Sequence, residues 1–156
     1  MIKTRNKTSA IPIEIRTSAI HGSGAFATRA LEPEDLIGRY TGKVYPAAAV
    51  SERDWDHAVT FVFGLSDGSV IDGAEGRNAT RHINHSCAPN CVALEVESNA
   101  GEAWIVIEAL QRIEAGEELF LDYSLDAEVD SPEDFACGCG SARCRGTLLG
   151  AQTPPV

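Results

Sequence analysis

Residues 81–90 read Arg81-His82-Ile83-Asn84-His85-Ser86-Cys87-Ala88-Pro89-Asn90, which places six hydrogen-bonding side chains and one thiol within ten positions. This decapeptide interrupts a chain of 156 residues that is 44% hydrophobic. It follows neither the period of a half-buried strand nor that of an amphipathic helix. The decapeptide is therefore predicted to be a functional site rather than scaffold, and its thiol has distant partners near the C-terminus.

Three further cysteines, Cys137, Cys139 and Cys144, stand close together near the C-terminus, with glycines beside the first two. Glycine lets a short backbone wrap round an ion, and three thiolates leave a tetrahedral Zn²⁺ one ligand short. The fourth ligand must be Cys87, Cys91 or a histidine, and the decapeptide supplies Cys87. Zinc would then pin the C-terminal segment against the decapeptide. The alternative interpretation is a set of reduced thiols without a metal.

The formal net charge is −10, and no lysine or arginine occurs between Arg112 and Arg143. An acidic chain is not expected to bind nucleic acid through a general basic surface, whereas an acidic face attracts basic peptides. The simpler explanation is that the negative charge keeps the protein soluble. No window approaches the roughly 18 apolar residues of a membrane span, and Met1–Ser9 does not resemble a signal peptide.

These features predict an intracellular protein, cytoplasmic or nuclear according to its host, in a reducing compartment where cysteines bind metal rather than form disulfides. The oligomeric state is not indicated by the sequence.

Cys91 begins an apolar run and is interpreted as a small buried hydrophobe.

Length and spacing predict one folded domain, mainly β with short helices. Strands are expected at 11–16, 36–40, 60–65, 69–71, 91–96 and 104–108, and residues 113–121 as a turn followed by a strand. Asp67-Gly68 and Asn99-Ala100-Gly101 are the expected hairpin turns. One helix is expected over Ala47–His57, with Ser51 as its N-cap. The predicted organisation is a flexible arm at 1–10, a folded domain at 11–125, an acidic linker at 126–136, a cysteine knuckle at 137–149 and a tail at 150–156.

A glycine turn, Gly22-Ser23-Gly24, precedes the apolar run Ala25-Phe26-Ala27. It is too short for the GxGxxG pattern of a dinucleotide site, which would also have to open a helix. The turn is either an ordinary tight turn or a point at which the backbone closely approaches a ligand.

Four motifs, in this order, resemble those of the SET-domain protein-lysine N-methyltransferases: HGSGAFA at 21–27, YTG at 40–42, RHINHSCAPN at 81–90 and GEELFLDY at 116–123. The segment 137–146 is similar to the zinc-binding post-SET segment of that family. The resemblance covers about residues 11 to 149, and it departs from the family pattern at His82, where an aromatic residue is usual.

The resemblance implies a SET-domain β-clip over 11–125, with a C-terminal pseudoknot between the Asn84-His85 and Tyr123 segments, a topology that is rare in proteins. It implies S-adenosylmethionine as cofactor, held by Gly22, Ser23, Gly24, Arg81, Asn84, His85, Tyr123 and Leu148. It implies zinc on Cys87, Cys137, Cys139 and Cys144.

The resemblance also makes Tyr123 and Tyr40 the expected catalytic residues. Tyr40 has the alternative role of a core tyrosine at a strand end, and His85 that of a buried structural imidazole. The expected substrate channel contains Phe61, Ala93 and Leu121. Phe61 stands where the family often has tyrosine. Since neither Leu121 nor Ala93 carries a hydroxyl, the channel is expected to have room for more than one methyl group.

The implied function is methyl transfer to the lysine amine of a basic segment in a protein, such as a histone, with no direct nucleic-acid or membrane partner. The acidic run from Glu114 to Asp134 would flank and attract that segment. One alternative is a catalytically silent SET fold that serves as a zinc-stabilised binding module for basic peptides. Another is a small zinc-stabilised interaction domain whose motif matches are accidental.

Overall fold

The computed structural model describes residues 11–20, 22–52, 61–74, 78–125 and 135–150. Within these ranges the chain is built from short strands, which confirms the mainly β class. The elements are β1 Ile13–Thr17, β2 Ser23–Ala27, β3 Leu36–Tyr40, β4 Lys43–Tyr45, α1 Ala47–Val50, β5 Val62–Gly64, β6 Val70–Asp72, a 3₁₀ helix Ala79–His82, β7 Asn84–His85, β8 Cys91–Glu97, β9 Ala103–Ala109 and β10 Phe120–Leu121.

The strands form four small sheets, in the orders β1-β2, β3-β9-β8, β4-β6-β5 and β7-β10. Both predicted hairpins are confirmed, because β5 pairs antiparallel with β6 and β8 with β9. Their turns contain Gly68 at φ 86° and Gly101 at φ 81°, a left-handed conformation that glycine adopts without steric cost. β1 pairs with β2 alone in its sheet, as expected of an edge strand.

β7 and β10 join the two segments that the resemblance places in a pseudoknot. They pair in parallel, with Asn84 opposite Phe120 and His85 opposite Leu121. Asn90 supports this pairing with both ends of its amide: Nδ2 donates to the Glu118 carbonyl at 2.9 Å, and Oδ1 accepts from the Phe120 N–H at 2.8 Å. Two-residue strands cannot form a long ladder of backbone hydrogen bonds. Side-chain hydrogen bonds from the decapeptide therefore supply part of the attachment between the two segments.

The apolar core lies beneath these sheets. Its largest fully buried side chains are Leu31, Ile37, Ile83, Ile107, Ile113 and Leu119. Cys91 is 1% exposed and belongs to the same cluster, which confirms that it is a buried hydrophobe. Burial raises the pKa of its thiol to about 12, so this cysteine stays protonated.

The helix predicted over Ala47–His57 is described only in part, because residues 53–57 lie outside the described residues. Its described part, α1, begins after Pro46 and has Ser51 at its C-cap, so Ser51 is not the N-cap of α1. The prediction of a turn followed by a strand over 113–121 is confirmed, because Gly116 turns the chain at φ 88° and β10 follows at Phe120–Leu121. β4 was not predicted.

Several predictions lie outside the described residues: the arm at 1–10, most of the acidic linker at 126–136 and the end of the tail. The domain boundaries therefore stay predictions. Among the residues that the structure describes, no helix has the length and apolarity needed to cross a membrane.

Gly42, in the link between β3 and β4, offers a test of its close packing against the end of β6. A Cβ at Gly42 would overlap the Asp72 carbonyl oxygen and lie 2.9 Å from the Gly73 nitrogen. Because these are backbone atoms that cannot swing away, we expect Gly42→Ala to lower the free energy of unfolding by about 3 kcal/mol. The urea midpoint measures this change. Gly64→Ala is the control, because its Cβ would meet nothing within 4 Å; equal midpoints for the two variants would contradict the expectation.

Candidate active site

A cavity of about 320 Å³, called cavity A, collects residues from three distant parts of the chain. It is lined by Ile20, Gly22, Ser23, Phe61, Arg81, His82, Asn84, His85, Tyr123, Ala136, Cys137, Gly138, Cys139 and Leu148. All the residues predicted to bind the cofactor are in this set except Gly24. The glycine turn, the decapeptide and the cysteine knuckle therefore meet at one concave site.

The glycine turn presents its backbone to cavity A. Gly22 has φ 42°, and its carbonyl accepts a hydrogen bond from the Ser18 N–H at 2.7 Å. Asn84 Nδ2 donates to the Ser23 carbonyl at 3.0 Å and to Glu118 Oε1 at 3.1 Å, which ties the turn to β7. Gly24 lies behind the turn in β2, where a Cβ would overlap the Glu118 carboxylate. Gly24 therefore allows β2 to pack closely against Glu118 within the protein.

A second cavity of about 500 Å³, called cavity B, lies next to cavity A. It is lined by Tyr40, Val62, Phe63, Gly64, Val70, Thr80, Arg81, Ile83, Leu121, Tyr123, Ser124 and Leu125. Arg81 and Tyr123 line both cavities, so these two side chains stand at the junction between them.

The structure separates the three residues predicted for the substrate channel. Leu121 lines cavity B, whereas Phe61 lines cavity A. Ala93 lies in β8 opposite Ile107, packs against the core and is not among the residues lining either cavity. Of these three residues, Leu121 alone lines cavity B and is in position to limit its width.

Tyr123 is fixed from both ends at the junction. Its hydroxyl donates to the Ile83 carbonyl at 2.7 Å, and its backbone N–H donates to His85 Nδ1 at 3.0 Å. Burial raises the pKa of Tyr123 to about 12, so the hydroxyl stays neutral at physiological pH. Because the hydroxyl donates its hydrogen bond to the Ile83 carbonyl, the lone pairs of its oxygen remain able to accept a hydrogen bond from a ligand.

Tyr40 ends β3, is 3% exposed and belongs to the core cluster, as the structural alternative describes. Its hydroxyl donates to the Phe61 carbonyl at 2.6 Å, and its ring centroid lies 4.5 Å from that of Phe63. Burial, with smaller contributions from Tyr123 and Asp72, raises the pKa of Tyr40. Because Tyr40 also lines cavity B, it is both a core residue and part of a cavity wall.

His85 connects Tyr123 to the cysteine cluster. Its imidazole is buried, and because Nδ1 accepts the Tyr123 N–H, the ring proton is on Nε2, 3.3 Å from Cys87 Sγ. Burial lowers the pKa of His85, and the nearby Asp122 carboxylate opposes this effect only in part. The neutral imidazole is therefore a structural link that also lines cavity A.

The four cysteines predicted to bind metal lie together. The sulfur atoms of Cys87, Cys137, Cys139 and Cys144 are all within 4.8 Å of one another. Tetrahedral zinc with Zn–S bonds of about 2.3 Å places sulfurs about 3.8 Å apart, and the Cys87–Cys137 sulfur distance is 3.9 Å. The backbone N–H of Arg145 donates to Cys87 Sγ at 3.3 Å. Four thiols in this arrangement fit Zn²⁺.

Four residues lining cavity A were absent from the predicted site: Ile20, His82, Ala136 and Gly138. The sequence did draw attention to His82, because this histidine stands where the family usually has an aromatic residue. Arg81 Nε donates weakly to His82 Nε2 at 3.4 Å, and burial, followed by the Arg81 charge, lowers the pKa of His82. His82 therefore presents a neutral imidazole to the cavity.

Comparisons with known proteins agree with this geometry. Residues 22–124 match the SET domain family. The chain is 37% identical over 143 residues to the human protein named Histone-lysine N-methyltransferase 2B, covering 89% of the chain and 5% of that protein. It is 34% identical over 152 residues to the Aspergillus oryzae protein named Histone-lysine N-methyltransferase, H3 lysine-4 specific, covering 94% of the chain and 12% of that protein.

A third relative is the Drosophila virilis protein named Histone-lysine N-methyltransferase trithorax, 37% identical over 132 residues, which cover 82% of the chain and 3% of that protein. The chain thus spans only a small part of the length of these relatives. Both the family match and the identities extend over most of its own length, and the matched region contains the glycine turn, the decapeptide and Tyr123. The chain belongs to the SET domain family.

Proposed function

We propose that this SET domain transfers methyl groups from S-adenosylmethionine to the side-chain amine of a lysine in a basic protein segment. The observation that carries the proposal is the position of Tyr123. Its side chain stands where the cavity built from the glycine turn, the decapeptide and the knuckle meets a second cavity. A methyl donor in one cavity and an amine in the other would meet at its hydroxyl oxygen.

Cavity A suits the cofactor because it combines polar and apolar lining, as ligand sites do. The backbone of Gly22 and Ser23, with Arg81, Asn84 and His85, would hold its polar parts, and Leu148 would pack on the adenine. Gly24 would act indirectly, by letting β2 approach Glu118. When bound, the cofactor supplies an electrophilic methyl group on a sulfonium.

Cavity B would prepare the lysine. The attacking amine must be neutral, and deprotonating a lysine of ordinary pKa near 10.4 at pH 7 costs about 4–5 kcal/mol. Apolar walls such as Phe63 and Leu121 remove water from the amine and so lower its pKa. Tyr123 then accepts a hydrogen bond and aligns the amine with the methyl group, which lowers the barrier by orientation. Tyr40 would form part of the wall of the same cavity.

Zinc would hold the C-terminal knuckle in place. Because Cys87 lies in the decapeptide and the other three ligands lie in the knuckle, one ion would join the two sides of cavity A. A structural site of four thiolates contributes folding energy directly and leaves the metal no open position for catalysis.

A histone, H3 in particular, is the substrate that the relatives' names favour. The net charge of −10 is compatible with a lysine- and arginine-rich tail, and no direct contact with nucleic acid or membrane is part of the proposal. Action on such a protein would require an intracellular location, nuclear in a eukaryotic host. The catalytically silent alternative is not favoured, because a binding module has no need of a polar hydroxyl between two cavities.

Mass spectrometry of an H3 tail peptide incubated with enzyme and cofactor tests both the activity and its extent. We expect more than one methyl group on a single lysine, because Leu121 leaves space where a ring hydroxyl would crowd the amine. Leu121→Tyr should shift the product towards monomethyllysine. If the wild-type enzyme gives only monomethyllysine, the wide-channel prediction is wrong. If it labels neither H3 nor any protein of a cell extract, the proposed function is wrong.

A further inference from the structure

The cysteine knuckle supplies one wall of cavity A. This knuckle wall consists of Ala136, Cys137, Gly138, Cys139 and Leu148. It faces the decapeptide and Tyr123, which belong to the body of the domain. How tightly the knuckle wall is held therefore decides whether cavity A exists as a formed site before a ligand enters it.

Arg145 joins the knuckle to the domain body through a bidentate ion pair with Asp122. Nη1 donates to Oδ2 at 2.8 Å and Nη2 donates to Oδ1 at 2.9 Å. Asp122 is oriented by Ser124, whose N–H and hydroxyl donate to Oδ1 at 3.0 and 2.9 Å. The hydrogen bonds from Arg145 are the main reason that the pKa of Asp122 lies below its ordinary value. The carboxylate therefore stays charged at physiological pH.

Among the ion pairs between carboxylates and arginines in the described residues, this pair has the least exposed side chains. The side chains of the other such pairs are 36–73% exposed, and these include the long-range pairs Arg112–Glu32 and Arg39–Glu102. Arg145 and Asp122 are 23 residues apart, and each side chain is 31% exposed. Exposed pairs contribute little, but a preoriented, bidentate pair is stronger and fixes geometry.

The position of Arg145 in the knuckle is also informative. It directly follows Cys144 and precedes Leu148, which is attached to the domain body by the Leu125 N–H donating to its carbonyl at 3.0 Å. The ion pair thus lies between the cysteine cluster and this backbone contact. On the other side, Asp122 directly precedes Tyr123. The pair therefore connects the knuckle wall to the residue at the junction of the two cavities.

We propose that the Arg145–Asp122 ion pair is a positioning contact that holds the knuckle wall against the Tyr123 segment and keeps cavity A formed without its ligand. The contact acts in addition to zinc and does not need it. Its effect on cofactor binding rests on the proposed function. When the knuckle wall is already ordered, ligand binding loses less conformational entropy. The ion pair therefore strengthens binding without contacting the ligand.

Hydrogen exchange and calorimetry on the zinc-loaded protein test this role. In Arg145→Ala, amides of residues 135–150 should exchange faster without cofactor, and the Kd for S-adenosylmethionine should rise about five- to tenfold. KM for the cofactor should change more than kcat, and zinc content should stay at the wild-type level. Arg143→Ala, at an exposed arginine two residues earlier in the knuckle, is the matched control and should behave as wild type.

Asp122→Asn provides a second variant that keeps the side-chain shape and an oxygen for Ser124. It should reproduce both effects, and the double variant should be no worse than Arg145→Ala alone, because coupled residues are not additive. Wild-type exchange and affinity in Arg145→Ala would overturn the proposal, and so would loss of zinc, since the residue would then act through the metal site. If the wild-type protein fails to bind the cofactor, the proposed function fails, whereas the exchange result still decides the role of the pair.

Discussion

Tyr123→Phe should lower kcat for lysine methylation by at least about 100-fold, which corresponds to about 2.7 kcal/mol of transition-state stabilisation. The substitution removes only the hydroxyl oxygen at the junction of cavities A and B. Phenylalanine retains the ring packed edge-on against His85, with centroids 5.3 Å apart, and the backbone bond to His85 Nδ1. The cofactor site should therefore survive, and its Kd should remain near the wild-type value.

Single-turnover kinetics with an H3 peptide, together with calorimetry, measure the two quantities separately. The cost to stability should be about 1 kcal/mol, because the Ile83 carbonyl loses one hydrogen bond. Tyr45→Phe is the matched control: Tyr45 lies in β4, lines neither cavity, and has Lys43 Nζ 5.0 Å from its ring centroid. A Tyr123→Phe enzyme within tenfold of wild-type kcat would show that orientation by this hydroxyl is not the source of the rate.

The high pKa of Tyr123 limits what its hydroxyl can do. An oxygen that titrates at about 12 does not act as a general base near pH 7, because its anion is too rare. The amine must therefore lose its proton by another route, which desolvation in cavity B makes cheaper. In the proposed function two tasks are therefore divided: the walls of cavity B would favour the neutral amine, and Tyr123 would align it.

The hairpins were predictable because their signals are local. Asp67-Gly68 and the glycine at 101 mark turns, and alternating residues beside them mark strands. The pairing of β7 with β10 has no such signal, since each strand has two residues and two residues define no period. Only the resemblance of the decapeptide to a known motif predicted it. Ser51 misled because a capping residue type is also common where helices end.

The site was predicted better in its polar parts than in its walls. Arg81, Asn84 and His85 share one motif, so one resemblance placed all three. Ala93 was placed in the channel by the resemblance, but in β8 it lies opposite Ile107 and packs against the core. The Arg145–Asp122 pair could not be predicted, because Asp122 is one of many acidic residues in its region and no local rule selects a partner 23 positions away.

Cys87→Ser should remove zinc and, with it, cofactor binding. A serine hydroxyl does not ionise at neutral pH and is a poor zinc ligand, so three thiolates would remain for an ion that prefers four. We expect zinc affinity to fall at least about 100-fold, because the lost group is a direct ligand and even supporting groups are worth 10- to 100-fold. Zinc content by a chromogenic chelator and cofactor affinity by calorimetry measure the two effects.

Cys91→Ala is the matched control, since Cys91 lies in the core outside the cluster and should cost stability without loss of metal. A Cys87→Ser protein that keeps its zinc would show that the ligand set is wrong. One that loses zinc but binds the cofactor normally would show that the metal does not hold the knuckle wall. Comparison with Arg145→Ala separates the two attachments: the cysteine variant should lose metal and binding together, whereas the arginine variant should weaken binding with the metal still in place. Both results are needed, because zinc and the ion pair are proposed as two separate attachments of the knuckle wall to the domain body.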